Sequence, residues 1–507
     1  MKALTKEHSL TRQMGLLMVG RGVAFILTFS IPLVLVRIFT PESFGLYKQL
    51  FLIHSTLVTI LTLGFSASLF YFLPRHPQER QAYVSQTLFV LSISGTFGGM
   101  VLVAFKAQVA QALNNPALET YIPYLAVFTV LSLITEMLEN LMVTFKQAAL
   151  AALTSFGSEL LKGAMMIGAA VLTRSMVVLV IAAVVWSTCR FVTLLVYLRK
   201  LDLPLWAPLV PPRLAEQFRY AMPFGLAVLV RAVADELPQY AVSYLYDPVM
   251  FAIYSVGYLQ IPAVSIASDS IAEVTLVRLT ELRNGGMLEE ALCVLGESVI
   301  KLCLFLFPLF AWLMISSKDL IIVLFTERFA TSVDIFRVFL ATIPLIALGL
   351  DYVPRAFADT GFVLRVNVLR VVLTAMLLMI LIPPLGLIGA ALATVIAIGI
   401  TKVLILIRVE RLFNTSVKRV LPWTRLAKIV AACAAAGLVA WAIQAASDLD
   451  VRLRPVLTAA TFTFCYGALV WNADVMEPND KRRMVDYFEG LSKFNLEWLL
   501  LGFRRLF

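Results

Sequence analysis

The stretch Pro41-x-x-Phe44-Gly45-x-Tyr47 returns 207 positions later as Pro248-x-x-Phe251-Ala252-x-Tyr254. Each copy lies in a short polar break between apolar runs long enough to cross a bilayer. A spaced repeat inside an apolar chain is the mark of a duplicated helical bundle. Bundles of this kind build a central site that faces either side of a membrane in turn.

The composition supports a membrane reading. The chain is 60% hydrophobic and 15% charged, with a mean hydropathy of +0.88. A spanning helix needs about 20 mostly apolar residues. Fourteen segments qualify, at about 15–36, 46–72, 82–105, 121–143, 150–173, 175–198, 220–245, 249–275, 297–317, 333–354, 363–382, 386–407, 426–446 and 455–472. Backbone amides in lipid must bond within their own segment, so these runs are helices. None alternates like a barrel strand. The expected fold is therefore an all-α integral membrane protein of about 14 transmembrane helices.

The net charge of +10 does not point to nucleic acid, because its placement follows topology. With a cytoplasmic N-terminus, the inner segments hold 25 Lys and Arg and the outer ones hold 7. That bias places both termini in the cytoplasm, with some attraction to anionic lipid heads. The first apolar segment is too long for a signal-peptide core and should be retained. The five cysteines form no CxxC pair, so neither a disulfide framework nor a metal site is expected. No cofactor motif is present.

Residues 199–219, rich in proline, form the main internal boundary. The expected division is an N-terminal six-helix lobe over 1–198, a cytoplasmic linker over 199–219 and a C-terminal six-helix lobe over 220–410. Two additional helices follow over 411–475, and a cytoplasmic amphipathic tail over 476–507. An even number of crossings relates the lobes by an axis along the membrane normal. In the tail, Lys481, Arg482, Arg483, Arg504 and Arg505 flank apolar positions that suit the membrane interface.

Ionisable groups deep in lipid cost ~2.5–3.5 kcal/mol each on insertion scales, so those that persist face wet cavities or pair with one another. This chain keeps Arg21, Glu136, Glu139, Glu159, Lys162, Arg190, Arg231, Asp235, Glu236, Asp269, Lys301, Asp351, Arg370 and Lys402 inside its apolar runs. Spacing makes internal pairs of Glu159 with Lys162 and of Arg231 with Asp235, and Asp351 can reach Arg355 in the same way. Arg21 has no acid within a turn, and the 207-residue offset maps it to position 228, one turn from Arg231. Two guanidinium groups facing one cavity suit a phosphate or pyrophosphate. Lys162, Arg190 and Lys301 would add positive field or sugar contacts. The like charges Glu136 and Glu139, or Asp235 and Glu236, are candidates for coupling to a proton or sodium ion. His54 is a further titratable group in the second helix, with packing as its plainer role. No phosphate-binding glycine loop, metal cluster or nucleophile elbow is present.

The stretch Arg37-Ile-Phe-Thr-Pro41-Glu42-Ser-Phe44-Gly45-Leu-Tyr47 resembles the signature after the first helix of the Wzx-like polysaccharide flippases. These belong to the multidrug/oligosaccharidyl-lipid/polysaccharide exporter superfamily. The turn Pro383-Pro-Leu-Gly386-Leu-Ile-Gly389-Ala390-Ala391 resembles their later motif between helices eleven and twelve. The resemblance implies two pseudo-twofold-related six-helix lobes forming a V-shaped cavity. It also implies transfer of an undecaprenyl-pyrophosphate-linked oligosaccharide across the bacterial inner membrane. Partners would be the lipid-linked oligosaccharide, membrane lipids, and a polymerase and glycosyltransferases of the same pathway. Of the family's residues, only Arg37, Pro41, Phe44, Gly45 and Tyr47 carry over. Alternatives are a cation-coupled multidrug exporter of the same superfamily, which would favour an acidic or aromatic pocket, and a membrane glycosyltransferase or polymerase, against which the short outer loops count. A non-transporting scaffold would show all its buried charges paired.

Overall fold

The two copies of the repeat are helix starts. Pro41 opens α2 (Pro41–Leu61), and the Thr40 side chain accepts the Ser43 N–H. Pro248 opens α11 (Pro248–Gly257), and the Asp247 side chain accepts the Met250 N–H. A proline in the first helical turn lacks only an N–H that has no helical partner there, and an oxygen at the cap satisfies another. The motif is thus the first turn of a helix rather than a break before one, so α2 begins at Pro41 and not near residue 46. In both copies the aromatic and small positions are buried: Phe44, Gly45 and Tyr47 in one, Phe251, Ala252 and Tyr254 in the other.

The computed structural model describes residues 27–203, 209–446, 449–473 and 475. Arg21, the start of the first expected span, part of the proline-rich linker and the basic tail lie outside them. Around the two repeat helices the described chain runs through α1 (Leu27–Ile38), then α3 (Phe65–Arg75), α4 (Arg80–Ala104), α5 (Lys106–Ala112), α6 (Leu118–Thr135), α7 (Met137–Thr144), α8 (Ala148–Thr173), α9 (Met176–Lys200) and α10 (Pro211–Leu245). After α11 come α12 (Pro262–Asn284), α13 (Leu288–Phe325), α14 (Ser332–Leu340), α15 (Thr342–Ala347), α16 (Val353–Ala356), α17 (Thr360–Phe413), α18 (Val417–Val420), α19 (Trp423–Ala446) and α20 (Arg454–Asn472). No strand occurs among the described residues. Among the described residues, eight helical stretches are long and apolar enough to cross a membrane, or nine if the pair α11–α12, bent by 49°, is one span.

The differences from the fourteen expected segments have local causes. The run 249–275 is divided where α12 restarts at Pro262. The run 333–354 is split into α14, α15 and the start of α16, and Gly349 takes a φ of 55° between them. The runs 363–382 and 386–407 are two helices, as expected, joined without a loop inside α17 at Gly386, which takes the non-helical φ 59°, ψ −135°. There the chain turns back on itself. A Cβ on Gly389 would lie 2.0 Å from the Leu381 carbonyl oxygen, so the small residue allows the close approach expected of it. α10 starts at Pro211 rather than near residue 220, because Pro211 and Pro212 open the helix as Pro41 does.

The chain separates into two compact units. The first comprises residues 1–262, 324–339 and 360–401. One of its cores joins Phe65, Leu69 and Phe72 of α3 to Tyr83, Leu133, Leu138 and Leu194. Another joins Leu52 of α2 to Val242, Phe251, Tyr254, Leu378 and Ala390. The second unit comprises residues 263–323, 340–359 and 402–507. In it, Trp312 of α13 donates to the Pro455 carbonyl at 3.1 Å, and Tyr466 of α20 donates to the Leu304 carbonyl at 3.1 Å. These bonds tie the last two helices to α13.

Candidate functional site

The first unit carries two groups of polar side chains inside apolar helices. One group lies on α1, α2 and α6–α9. Arg190 of α9 donates to Glu139 of α7 at 2.6 Å and to the Ser158 hydroxyl of α8 at 3.1 Å. One turn before Arg190, Trp186 donates its indole N–H to the Ser158 carbonyl at 2.8 Å. On α8, Lys162 pairs with Glu159 at 3.3 Å, and Thr28 of α1 donates to the same carboxylate at 2.6 Å. Lys162 and Arg190 both face the Trp186 ring, at 5.0 and 5.8 Å from its centroid. A cation over an indole face gains from the ring quadrupole. The ring therefore braces the two cations that their acids neutralise.

Glu136 occupies the junction between α6 and α7. Its N–H bonds to the Leu133 carbonyl three residues back, at 3.3 Å, which is a local tightening of the helix. Its carboxylate accepts from Thr62, the residue that caps the C-terminus of α2, at 2.8 Å. His54 stacks on Phe128 at 4.2 Å and shares a hydrogen bond with Thr129 at 3.0 Å, the packing role.

The second group lies on α2, α10 and α17, with Tyr258 just past the end of α11. Asp235 of α10 meets Arg370 of α17 at 2.6 Å and Arg231 at 3.9 Å. Tyr258 donates to the Asp235 carbonyl at 3.2 Å. Arg231 is the outlying member, with 66% of its side chain exposed against 16% for Arg370. Glu236 turns to α2, where Ser55 donates to it at 3.1 Å and Thr56 makes a short hydrogen bond. Tyr240 donates to Thr56 at 2.7 Å. Thr62 keeps helical dihedrals at the cap of α2 and lies seven residues, or two turns, after Ser55, so the hydroxyls that hold Glu236 and Glu136 share one helix face.

The sequence-predicted residues thus fall into definite places. Glu159 pairs with Lys162 and Arg231 with Asp235, as their spacing predicts. Glu136 and Glu139 have separate partners, Thr62 and Arg190. Asp351 pairs with Lys402 within the second unit rather than with Arg355. Lys301 is exposed on α13 of that unit. The sequence assigns no role in the site to Arg370, Ser158, Trp186, Ser55 or Thr56. Arg370 was visible as a charge in an apolar run. A Ser–Thr pair carries no such signal.

The family motif closes around the repeat. Arg37 donates to the carbonyls of Leu33 and Leu324, the latter at 2.9 Å. Phe44 meets Phe329 edge-on at 5.7 Å, and Tyr47 packs against Phe51 at 4.7 Å.

A family model described as polysaccharide biosynthesis protein matches residues 34–334. No curated protein sequence matches the chain. Among solved structures, the lipid II flippase MurJ in an inward closed conformation aligns with a TM-score of 0.75 at 13% identity, over 91% of this chain and 100% of its own. An inward-facing MATE family multidrug resistance transporter of the MOP superfamily aligns with a TM-score of 0.60 at 14% identity, over 77% and 99%. A MOP superfamily transporter from Pyrococcus furiosus gives 0.58 at 12% identity, over 80% and 95%. At such identities the likeness is one of fold. The match to the family model spans more than half of the sequence, and the chain belongs to the polysaccharide biosynthesis protein family, as a multi-pass helical membrane protein with the fold of MurJ and the MATE transporters.

Proposed function

We propose that this protein is a lipid-linked oligosaccharide flippase. It moves an undecaprenyl-pyrophosphate-linked glycan from the inner to the outer leaflet of the bacterial inner membrane by alternating access, coupled to an ion gradient. Family membership supplies the polysaccharide pathway. The carrying observation is the set of cations and carboxylates kept between apolar helices of the first unit, around Arg190, Lys162, Arg370 and Asp235. Charges at such depth persist where they pair with one another or face a polar passage. Glu136 and Glu236, held by hydroxyls with no ion pair among the described residues, are the ones that pairing does not account for.

In this reading, six-helix lobes over 1–198 and 220–410 rock about a central cavity. Arg21 and Arg231 clamp the pyrophosphate, Lys162, Arg190 and Lys301 contact it or the sugars, and the lipid tail stays in the bilayer. Glu136, Glu139, Asp235 and Glu236 are the coupling acids. Both termini are cytoplasmic, and the product passes to a polymerase of the same pathway.

The test is flipping of lipid-linked sugar in reconstituted vesicles. Replacing Arg21 and Arg231 together by alanine should abolish flipping at unchanged expression. Unchanged transport would remove the clamp, and no flipping by the unaltered protein would remove the function.

A further inference from the structure

Glu236 differs from its neighbour Asp235, and from Glu139 and Glu159, in how it is held. Asp235, Glu139 and Glu159 each have a cation within 3.3 Å. Among the described residues, none forms an ion pair with Glu236. Its neighbours are oxygens. Ser55 Oγ lies 3.1 Å from one carboxylate oxygen, and Thr56 Oγ1 makes a short contact with the other. The same two hydroxyls reach the Leu52 carbonyl at 3.0 and 2.8 Å. Tyr240 Oη lies 2.7 Å from Thr56 Oγ1 and 3.5 Å from the Leu52 carbonyl.

These six oxygen–oxygen contacts share three hydroxyl protons. Each hydroxyl has one proton and two lone pairs. When Ser55 and Thr56 spend theirs on Leu52, as hydroxyls on helices commonly do, their lone pairs face a carboxylate. That arrangement is repulsive unless a proton on the carboxylate or a metal cation sits among the oxygens, and the responses to sodium and to pH separate the two. A carboxylate, two hydroxyls and a nearby carbonyl form a donor set for a hard cation. The nearest charged groups do not supply it, because the Arg370 guanidinium is bonded to Asp235.

We propose that Glu236, Ser55 and Thr56 bind a sodium ion between α2 and α10. The site names the coupling ion of the proposed transport. It rests on that reading only for the use of the ion, because binding is measured without substrate. A sodium ion would draw α2 and α10 together, and its loss would leave the Glu236 carboxylate against bare lone pairs and loosen the pair.

The experiment uses the purified full-length protein in nanodiscs at fixed pH and ionic strength, with choline replaced stepwise by sodium. Thermal unfolding and binding of radioactive sodium are recorded together. A saturable response selective for sodium over potassium is expected. At a hundredfold excess over Kd it corresponds to about a 100-fold rise in the folded-to-unfolded ratio. Glu236→Gln should abolish binding, and Thr56→Val should weaken it on the order of tenfold, the scale of one lost oxygen ligand worth about 1.4 kcal/mol. Thr56→Ser, which keeps the hydroxyl, should retain it. The site is overturned if potassium acts equally, if Glu236→Gln still binds, or if stability follows pH and ignores sodium. Sodium binding without any flipping activity supports the site and removes the flippase reading.

Discussion

Gly45 and Pro248 meet backbone to backbone: a Cβ on Gly45 would lie 1.9 Å from the Pro248 carbonyl oxygen. Two helix starts related by a sequence repeat are thus pressed together at their first turns. The approach is possible only because one of them lacks a side chain.

Gly45→Ala should therefore push α2 from α11. The expected loss is about 1–3 kcal/mol, the usual range for overpacking, read as a fall in the thermal midpoint of the purified protein. Gly157 on α8 is the control, since nothing lies within 4 Å of its Cβ position. Gly157→Ala should leave the midpoint unchanged or raise it, because alanine favours a helix by roughly 1 kcal/mol.

The matched caps should behave alike. Thr40→Ala and Asp247→Ala each remove the oxygen that accepts a first-turn N–H. Each should cost about 1 kcal/mol, and thermal unfolding of the two variants measures it. A loss confined to one of them would show that the copies are not used equivalently.

Arg190→Ala leaves Glu139 without the guanidinium that neutralises it. Breaking such a pair from one side costs roughly 3–5 kcal/mol when buried. Removing both, as Arg190→Ala with Glu139→Ala, should restore most of the stability. Flipping activity separates the roles: if Arg190 also contacts substrate, the double variant folds well and still transports poorly.

Gly386 takes φ 59°, ψ −135°, a region that residues with a Cβ avoid. Gly386→Ala should cost about 1–3 kcal/mol of strain and loosen the turn that brings Gly389 against Leu381. Reduced yield of folded protein on size-exclusion chromatography, together with a lower midpoint, is the expected result.

Much of the fold was legible because its signals are short in range. The repeat gave two equivalent helix starts, Pro383-Pro384 with Gly386 gave a reversal, and i, i+3 and i, i+4 spacing gave the pairs of Lys162 and Arg231. What stayed hidden depends on which helices meet. Asp351 finds Lys402, 51 residues on, rather than Arg355 a turn away. Glu236 finds Ser55 and Thr56 about 180 residues earlier. Hydroxyls in an apolar run look like ordinary helix residues until a carboxylate is placed against them. The run 333–354 is apolar enough to span, and composition does not reveal that Gly349 lies beyond the end of α15 at positive φ.

The alignment of Ser55 and Thr62 along α2 has a mechanical meaning. A rigid helix cannot turn at one of these positions and stay still at the other. Any rotation of α2 about its own axis withdraws a hydroxyl from Glu236 and from Glu136 at the same moment. The two acids, carried on different helices, would then release or regain their partners in step, as a single all-or-none event set by one rod.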